Sequence, residues 1–425
     1  MERYKEYKDS GVQWIGNIPS HWESKQLRSF LTLFTEKGHG DAQLLSVTRE
    51  QGVIERDKDD KEENHNFVPE DLSGYKYIEK GDFAINKMKA WQGSYAVSDY
   101  NGIVSPAYYT CKLKGVDKYF FNKAIRSFAY IPFFTQYSKG IRVGQWDLNP
   151  NSLKTIPFFL PPIDEQKKIV NYIESKTSKI DEYIIEKEKE VQLLSELKEA
   201  EIAKVVTRGL NPNVKMKDSG ASWIGMIPEH WDLRRLSQVA YEHYISNKEV
   251  HHQNLLSLSY GRIIRKDINT TEGLLPASFD TYQIVEEGNI VMRLTDLQND
   301  HKSLRVGLVK EEGIVTSAYV CLGVSDSMVP SYLYNILHSY DIKKLFYSMG
   351  GGLRQNLNWQ GLKKLDIPLP PIDEQQAIVA YINDKTAKVE SLITDLQAEI
   401  EHLKEYKQRL IADCVTGQVN VQNEE

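Results

Sequence analysis

The segment LPPIDEQ occupies residues 160–166 and returns, letter for letter, at residues 369–375. A second phrase repeats at the same interval of 209 residues, as KDSGVQWIGNIPSHW at 8–22 and KDSGASWIGMIPEHW at 217–231. Two matches with one offset indicate that one large module has been duplicated in tandem, not that a short unit repeats as in a solenoid. Because like modules tend to arrange themselves about a two-fold axis, we expect pseudo-two-fold symmetry.

Each LPPIDEQ segment opens a long stretch that contains no glycine or proline. Acidic residues follow the proline pair, in a first turn where negative charge suits the helix dipole. Apolar residues then recur with a seven-residue repeat and charged residues fill the other positions, a pattern typical of a coiled coil. The residues predicted to pair the helices are Val170, Ile173, Ile180, Ile184, Val191, Val379, Ile382, Val389, Ile393 and Ile400.

One such helix cannot bury its apolar stripe alone, and the other copy is the obvious partner. The first stripe runs from residue 163 to residue 205, which spans roughly 63 Å at ~1.5 Å per residue. A solvated stalk or an oligomerisation rod with no further role is the alternative interpretation of these charged helices.

We call the repeated aromatic segments at 8–22 and 217–231 the leads. The regions between the leads and the long helices have mixed α+β patterns. Alternating residues at 81–88 and 287–294 predict strands, and 102–113 and 313–324 predict another strand in each copy. Helices are predicted at 117–128 and at 330–346. The resulting organisation is a first α+β domain with its lead (1–162), a first helix (163–208), a second such domain with its lead (209–371), a second helix (372–416) and a tail (417–425).

The two copies share their frame but differ in their loops, as expected of two readers of different targets on one scaffold. Arginine and lysine suit phosphates and guanine, and glutamine and asparagine suit adenine. Residues 83–159 hold ten Lys/Arg against three Asp/Glu, whereas 288–368 hold nine against seven, so the basic patch is weaker in the second copy. Ordinary surface loops are the alternative. The candidate DNA-binding residues are Lys87, Lys89, Trp91, Gln92, Arg142, Gln145, Arg293, Thr295, Gln298, Lys302, Arg305, Arg354 and Gln355.

The repeated aromatic leads contain Trp14 and Trp22 in one copy and Trp223 and Trp231 in the other. They are either stacking platforms for a ligand or clips that pack a domain onto a helix end, and we favour the clip. The second lead follows the first helix within a few residues. The first lead is therefore predicted to dock beside the end of the second helix.

Composition excludes several classes of protein. No apolar run reaches the ~18 residues that span a bilayer, and the charged N-terminus MERYKEYKDS lacks the apolar core of a signal peptide, so we expect a cytoplasmic protein without membrane contact. The formal net charge of −6 argues mildly against a free-standing nucleic-acid binder. Phosphate-binding and hydrolase motifs are missing, His251 and His252 lack a ligand partner at useful spacing, and the three cysteines show no metal or disulfide spacing. We expect no catalytic residue, no metal site and three reduced core cysteines.

Taken together, WIGNIPSHW and WIGMIPEHW, LPPIDEQKKIV and LPPIDEQQAIV, NKMKAWQG and GIVSPAY give the whole chain a resemblance to the specificity subunits of type I restriction–modification enzymes. The resemblance implies two α+β target-recognition domains, each followed by a long helix, with the helices packed as an antiparallel coiled coil that spaces two DNA half-sites. It also implies a subunit without catalysis of its own.

The same resemblance implies the partners. Two methyltransferase subunits that use S-adenosylmethionine to methylate adenine would bind this chain and double-stranded DNA, and two ATP-driven restriction subunits would join them. S-adenosylmethionine, ATP and Mg would belong to those partners, and this chain would hold no cofactor. The alternatives are an interaction protein whose coiled coil joins two ligand-binding heads and, with little support, an enzyme.

Overall fold

The computed structural model describes residues 2–57, 68–140, 146–249, 252–268, 278–298, 304–351 and 356–422. The chain divides into two compact units. We call Met1–Glu188 together with Ala398–Glu425 the first unit, and Lys189–Gln397 the second unit.

Short strands dominate the first unit before a long helix begins. Its strands are β1 (Tyr7–Asp9), β2 (Asn17–Pro19), β3 (Glu23–Gln26), β4 (Leu31–Phe34), β5 (Leu45–Thr48), β6 (Gly52–Glu55), β7 (Lys76–Ile78), β8 (Phe83–Asn86), β9 (Tyr95–Val97), β10 (Gly102–Val104), β11 (Tyr108–Leu113), β12 (Ser138–Lys139), β13 (Asp147–Leu148) and β14 (Pro157–Leu160). Its helices are α1 (Lys118–Arg126), α2 (Ile131–Tyr137), α3 (Pro150–Thr155) and the first part of α4 (Ile163–Arg208).

An antiparallel four-stranded sheet with the order β4-β11-β8-β9 forms the centre of the first unit. Side chains alternate along its strands, so each face of the sheet has its own core. Phe83 and Ile85 of β8 pack on the face that the helices cover. Ala84, between them, packs with Val47 and Val53 of the β5–β6 hairpin on the other face. The hairpin is thereby held against the sheet.

The second unit repeats this architecture. Its elements are β15 (Met216–Asp218), β16 (Met226–Pro228), β17 (Asp232–Arg235), α5 (Leu236–Val239), β18 (Ala240–Glu242), β19 (Ile245–Ser246), β20 (Leu256–Ser259), β21 (Arg262–Arg265), β22 (Gln283–Val285), β23 (Ile290–Met292), β24 (Val306–Leu308), β25 (Gly313–Val315), β26 (Val320–Val324), α6 (Pro330–Ile342), α7 (Leu345–Met349), α8 (Trp359–Leu362) and β27 (Asp366–Leu369), followed by α9 (Ile372–Val415). Its sheet has the order β18-β26-β23-β24, which matches the first unit strand for strand. The α+β fold and its tandem duplication are confirmed.

Three predicted elements are interrupted. The strand predicted over 102–113 is two strands, because a turn follows Ser105, whose hydroxyl accepts from the Ala107 N–H at 3.3 Å and whose carbonyl accepts from the Tyr108 N–H at 3.0 Å. The equivalent strand over 313–324 breaks in the same place. The helix predicted over 330–346 ends at Ile342, where Lys344 takes a left-handed backbone (φ 58°) before α7 begins.

The two long helices run antiparallel within each unit. In the first unit, Lys407 of α9 contacts Asp181 of α4 at 2.6 Å, and Lys404 contacts Glu188 at 3.9 Å. In the second unit, Lys198 of α4 lies 3.6 Å from Glu390 of α9, and the Tyr381 hydroxyl donates to Glu201 at 2.9 Å. Polar pairs thus flank the apolar seam. The antiparallel pairing implied by the resemblance is confirmed within each unit.

The predicted seam is buried to different depths. Val170, Ile173, Ile184, Ile382 and Ile400 are buried, whereas Ile180, Val191, Val379, Val389 and Ile393 are half-buried. The deeper positions include those where a recognition domain also covers the helix, since Val170 and Ile173 belong to the first unit's core and Ile382 to the second's.

A glutamate in the first turn of each long helix binds the lead. This contact explains why the LPPIDEQ segment and the lead are repeated together. Glu165 is buried and accepts hydrogen bonds from the Trp22 indole (3.0 Å) and the Tyr4 hydroxyl, and His21 Nε2 lies 2.8 Å away. Burial and the bond to Glu165 raise the pKa of Tyr4 well above its ordinary value, so its hydroxyl stays protonated at neutral pH. The lead is therefore fastened to the helix by its side chains.

The second unit makes the same clip with its own copies of these residues. Trp231 donates to Glu374 at 2.9 Å, and His230 Nε2 lies 2.7 Å from the same carboxylate. Each lead also docks beside the end of the other long helix. Gly417 packs against Trp22 and its carbonyl accepts from Tyr7, while Gly209 packs against Trp231. The packing-clip interpretation is confirmed.

The glutamine that follows each glutamate ties the helix start to the recognition domain. The Gln166 amide donates to the Pro161 carbonyl, and its oxygen accepts from the Asp117 backbone N–H at the start of α1. Gln375 repeats this with Pro370 and Val329. Each LPPIDEQ segment thus joins the helix to its surroundings through a buried amide and a carboxylate, which is buried in the first copy and half-buried in the second.

We expect Glu165→Ala to destabilise the protein by about 1–3 kcal/mol, because the buried Trp22 N–H and Tyr4 hydroxyl lose their acceptor. Denaturant unfolding followed by circular dichroism measures the change. Asp164→Ala is the matched control, since this neighbouring carboxylate is exposed and supplies only the helix-dipole interaction of under about 1 kcal/mol. Equal losses for the two variants would contradict the clip.

Ile184→Asp is expected to lower the free energy of unfolding by about 2–5 kcal/mol, because a buried aliphatic side chain is lost and a charge takes its place. Ile184 is 7% exposed, whereas the adjacent Ile185 is 64% exposed. Ile185→Asp should therefore change stability by less than about 0.5 kcal/mol. If both variants unfolded at the same denaturant concentration, the assigned seam would be wrong.

Candidate nucleic-acid interface

The loop between β8 and β9 carries four of the predicted DNA-binding residues. Lys89 is exposed, and Lys87, Trp91 and Gln92 are half-buried. A short turn of 3₁₀ helix at Ala90–Gln92 shapes the loop, and Gly93, at φ 96°, closes it in a left-handed conformation that favours glycine. The loop thus has a defined shape and presents at least one cation to solvent.

This loop lies against residues 146–148, which follow the predicted residues Arg142 and Gln145 in the sequence. The Leu148 N–H donates to the Lys87 carbonyl at 3.1 Å, and the Lys87 ammonium pairs with Asp147. The Trp91 and Trp146 rings pack with centroids 5.1 Å apart. Two segments about 55 residues apart in the sequence therefore form one surface. Arg142 and Gln145 lie outside the described residues.

In the second unit, the segment that begins at Leu294 contacts the segment around Leu357 in the same way. The Leu357 N–H donates to the Leu294 carbonyl at 2.9 Å, which is the counterpart of the Leu148–Lys87 bond. The Asp296 N–H donates to the Asn356 side chain at 2.9 Å. Thr295 is half-buried and Gln298 is exposed. Lys302, Arg354 and Gln355 lie outside the described residues.

Arg305 requires a correction. It was predicted to contact DNA, yet its side chain is fully buried. Its guanidinium donates to the carbonyls of Arg293 (3.1 Å), Thr295 (2.9 Å) and Asp296 (3.3 Å), and to the Tyr347 hydroxyl. Arg305 therefore stabilises the conformation of the predicted DNA-binding loop from the interior of the domain. A pattern of loop cations in a sequence does not distinguish this role from surface exposure.

Arg293 is half-buried, and its carbonyl is one of the acceptors that Arg305 holds. Asp296 lies three residues further along and has a left-handed backbone at φ 57°, an uncommon conformation for a residue with a side chain. The buried guanidinium stabilises this bend, because its planar fork binds several carbonyls at once.

Two lysines that the sequence did not single out lie near Lys87. Lys76 is half-buried and donates to the Tyr108 carbonyl. Burial lowers the pKa of Lys76, and the nearby positive charges of Lys37 and Lys87 lower it further.

Among the residues that the structure describes, no group of three or more His, Cys, Asp or Glu side chains is placed to hold a metal ion. Burial raises the pKa of Cys111 and Cys321 to about 12, so both thiols are protonated at neutral pH. No helix in the described part of the chain is long and apolar enough to cross a bilayer.

Comparison with known proteins gives a consistent picture. Residues 305–402 match the family model of the type I restriction modification DNA specificity domain. The chain is 24% identical to the putative type I restriction enzyme MjaX specificity subunit of Methanocaldococcus jannaschii, over 99% of both chains. It is 23% identical to the type I restriction enzyme EcoBI specificity subunit of Escherichia coli, over 65% of this chain and 61% of that one.

A solved structure shares the fold. It is a chain from the work described as "Structural basis underlying complex assembly and conformational transition of the type I R-M system", with a TM-score of 0.66 and 16% identity. The match covers 95% of this chain and 99% of that one.

Replacing Arg305 should have a different consequence from replacing Lys89. We expect Arg305→Ala to destabilise the protein by about 1–3 kcal/mol, since a buried side chain is removed and the Arg293, Thr295 and Asp296 carbonyls lose their donor. Lys89→Ala, at an exposed position, should leave the unfolding free energy within about 0.5 kcal/mol of wild type. Thermal unfolding of the two variants is the measurement. An Arg305→Ala variant as stable as wild type would restore the surface interpretation.

Proposed function

We propose that this chain, which belongs to the family of type I restriction–modification specificity subunits, reads a split DNA target with one recognition surface in each unit. The family is the non-catalytic, DNA-recognising part of these enzymes. The observation that carries the proposal is the pair of equivalent backbone bonds, Leu148 to Lys87 and Leu357 to Leu294. The same frame thus presents a compact loop surface in both units, with different side chains on each.

The side chains on the two surfaces suit the readout of duplex DNA. In the first unit, Lys89 and Lys87 are suited to phosphates or the guanine edge, and Gln92 to adenine. In the second, Gln298 and Thr295 offer hydrogen-bonding groups and little charge. We therefore propose that the first surface gains more of its affinity from phosphates and the second relies more on neutral polar contacts.

The long helices are the proposed spacer between the two half-sites. At about 1.5 Å per residue, the 46 residues of α4 span about 69 Å and the 44 residues of α9 about 66 Å. Two turns of B-DNA measure about 68 Å, at ~34 Å each. Helices of this length suit a target whose two specified segments are separated by unread base pairs.

Assembly with methyltransferase and restriction subunits follows from the family, and we propose two copies of each. In the second unit, Leu193, Leu197 and Leu392 are 54%, 60% and 52% exposed on the long helices. Beside them a groove of about 260 Å³, lined by Leu197, Tyr381 and Val389 among others, lies between α4 and α9. We propose this apolar strip as a docking surface for a methyltransferase subunit.

The partners would also supply what this chain lacks. S-adenosylmethionine, ATP and Mg would bind to them, and their basic surfaces would supply phosphate contacts that a chain of net charge −6 does not provide alone. Because the substrate is the DNA of the cell, we propose the cytoplasm as its location.

Exchange of a recognition domain tests the proposal. Residues 232–368 would be replaced by the equivalent segment of another specificity subunit, and the chain co-expressed with its methyltransferase partner. Sequencing that detects methylated adenine should then show a changed second half-site and an unchanged first one. An exchange that leaves the methylated sequence as it was would contradict the proposal.

Salt dependence separates this function from a protein that merely joins two ligand-binding heads. For the complex with its methyltransferase partner, the logarithm of DNA affinity should fall linearly with the logarithm of salt concentration, because phosphate contacts release counterions. A flat response, or no binding of the complex to DNA, would favour the joining role.

A further inference from the structure

Each unit carries a hairpin whose tip has no part in the surface described so far. The hairpin is β5–β6 in the first unit, with Arg49, Glu50 and Gln51 at its tip, and β20–β21 in the second, with Tyr260 and Gly261. Arg49 and Tyr260 were not among the sequence candidates. We call the loop between β8 and β9 and the loop between β23 and β24 the recognition loops, since they carry predicted DNA-binding residues. The position of Arg49 and Tyr260 beside these loops indicates a role for both.

In the second unit the tip lies beside the end of the recognition loop. A Cβ atom on Gly261 would be 3.2 Å from the Cβ of Leu304, the residue that precedes the buried Arg305. Helix α6 supports the tip from below, since the Tyr334 hydroxyl donates to the Gly261 carbonyl at 3.3 Å. The His338 ring stacks on Tyr334 with centroids 5.5 Å apart.

In the first unit the tip has the equivalent position. The Arg49 side chain lies 3.9 Å from where a Cβ on Gly93 would be, at the end of the loop between β8 and β9. Arg126 of α1 holds the tip, because its guanidinium donates to the carbonyls of Arg49 (3.1 Å) and Glu50 (2.9 Å) and to Tyr95 of β9 (3.0 Å). In each unit, the hairpin tip thus packs against the recognition loop and is held by a helix.

Tyr260 is placed at a conformational cost and yet is exposed. Residues 260 and 261 have φ values of 44° and 76°, so the two-residue turn is of type I′, for which Asn-Gly is the preferred pair. A bulky residue with positive φ is a rare outlier. The Tyr260 side chain is nevertheless 78% exposed and is not used to cover the core. A residue that the fold disfavours at an exposed tip points to a role in binding.

The chemistry shared by the two tips selects the ligand. Arg49 and Tyr260 occupy equivalent places and are both donors that proteins use for phosphate oxygens. In the first unit, 66% of the Arg49 side chain is exposed, and it forms an exposed ion pair with the neighbouring Glu50, at 3.5 Å, which a phosphate could replace. We propose that the hairpin tips grip the DNA backbone beside each half-site, Arg49 through its guanidinium and Tyr260 through its hydroxyl. This rests on the proposed function and adds a positioning contact to each recognition surface.

The test uses the complex of the full chain with its methyltransferase subunits and a duplex that carries the sequence it methylates. Tyr260→Asn and Tyr260→Phe should each weaken binding about tenfold, the loss expected for one hydrogen bond to a charged group. Tyr260→Asn should also raise the midpoint of thermal unfolding, since asparagine suits the turn. A gain in stability with a loss of affinity separates a binding role from damage to the fold.

Two further variants complete the design. Arg49→Ala should weaken binding and reduce the salt slope by about one unit, as loss of one charged phosphate contact does. Tyr241→Thr is the control, because Tyr241 is a 55% exposed tyrosine on β18, at the opposite edge of the sheet from the loop-bearing β24. It should bind as wild type does.

Wild-type affinity for either Tyr260 variant would overturn the hydroxyl contact. A changed methylated sequence with unchanged affinity would overturn it in favour of base reading. An unchanged salt slope for Arg49→Ala would overturn the proposal for the first unit. If instead the wild-type complex did not bind the duplex, the proposed function itself would fail, so the two failures are distinguishable.

Discussion

A carboxylate in the first turn of each long helix organises this molecule. Glu165 and Glu374 receive the indole N–H of Trp22 and Trp231, and the next residue, a glutamine, binds the start of a helix in the recognition domain. Three separate parts of each unit, the lead, the long helix and the recognition domain, therefore meet at two adjacent side chains. The acidic side chain is also favoured there by the helix dipole, so one residue serves local and tertiary structure together.

These contacts explain which parts of the sequence are repeated. The joint depends on particular hydrogen bonds between buried groups, and a change in one member leaves another without its partner. The start of each recognition loop is held by a backbone bond from Leu148 or Leu357, which any side chain permits. The frame can therefore persist while the side chains of the loops change freely.

Much of the fold could be predicted from the sequence, because its signals are periodic. The heptad stripes and the absence of glycine and proline predicted both long helices, and the single offset predicted the duplication. The breaks at 105–107 and at Lys343–Lys344 were not predicted, since the spacing of apolar residues does not show where a local turn interrupts a strand or helix. The site was predicted less well. Arg305 looks like a surface cation in the sequence, and only its burial reveals a structural one. Arg49 and Tyr260 carry no distinctive spacing, and only the sheet brings them beside the loops.

The composition of the first unit bears on how the protein is made. That unit combines Met1–Glu188 with Ala398–Glu425, and its core includes Leu410, Val415 and Val421 from the second of these segments. The second unit is one continuous segment, Lys189–Gln397. During translation, the residues of the second unit are thus all synthesised before the last residues of the first, whose core is incomplete until residues 398–425 have emerged from the ribosome. A product that stopped before residue 398 would lack these core residues, although most of the first unit had been synthesised.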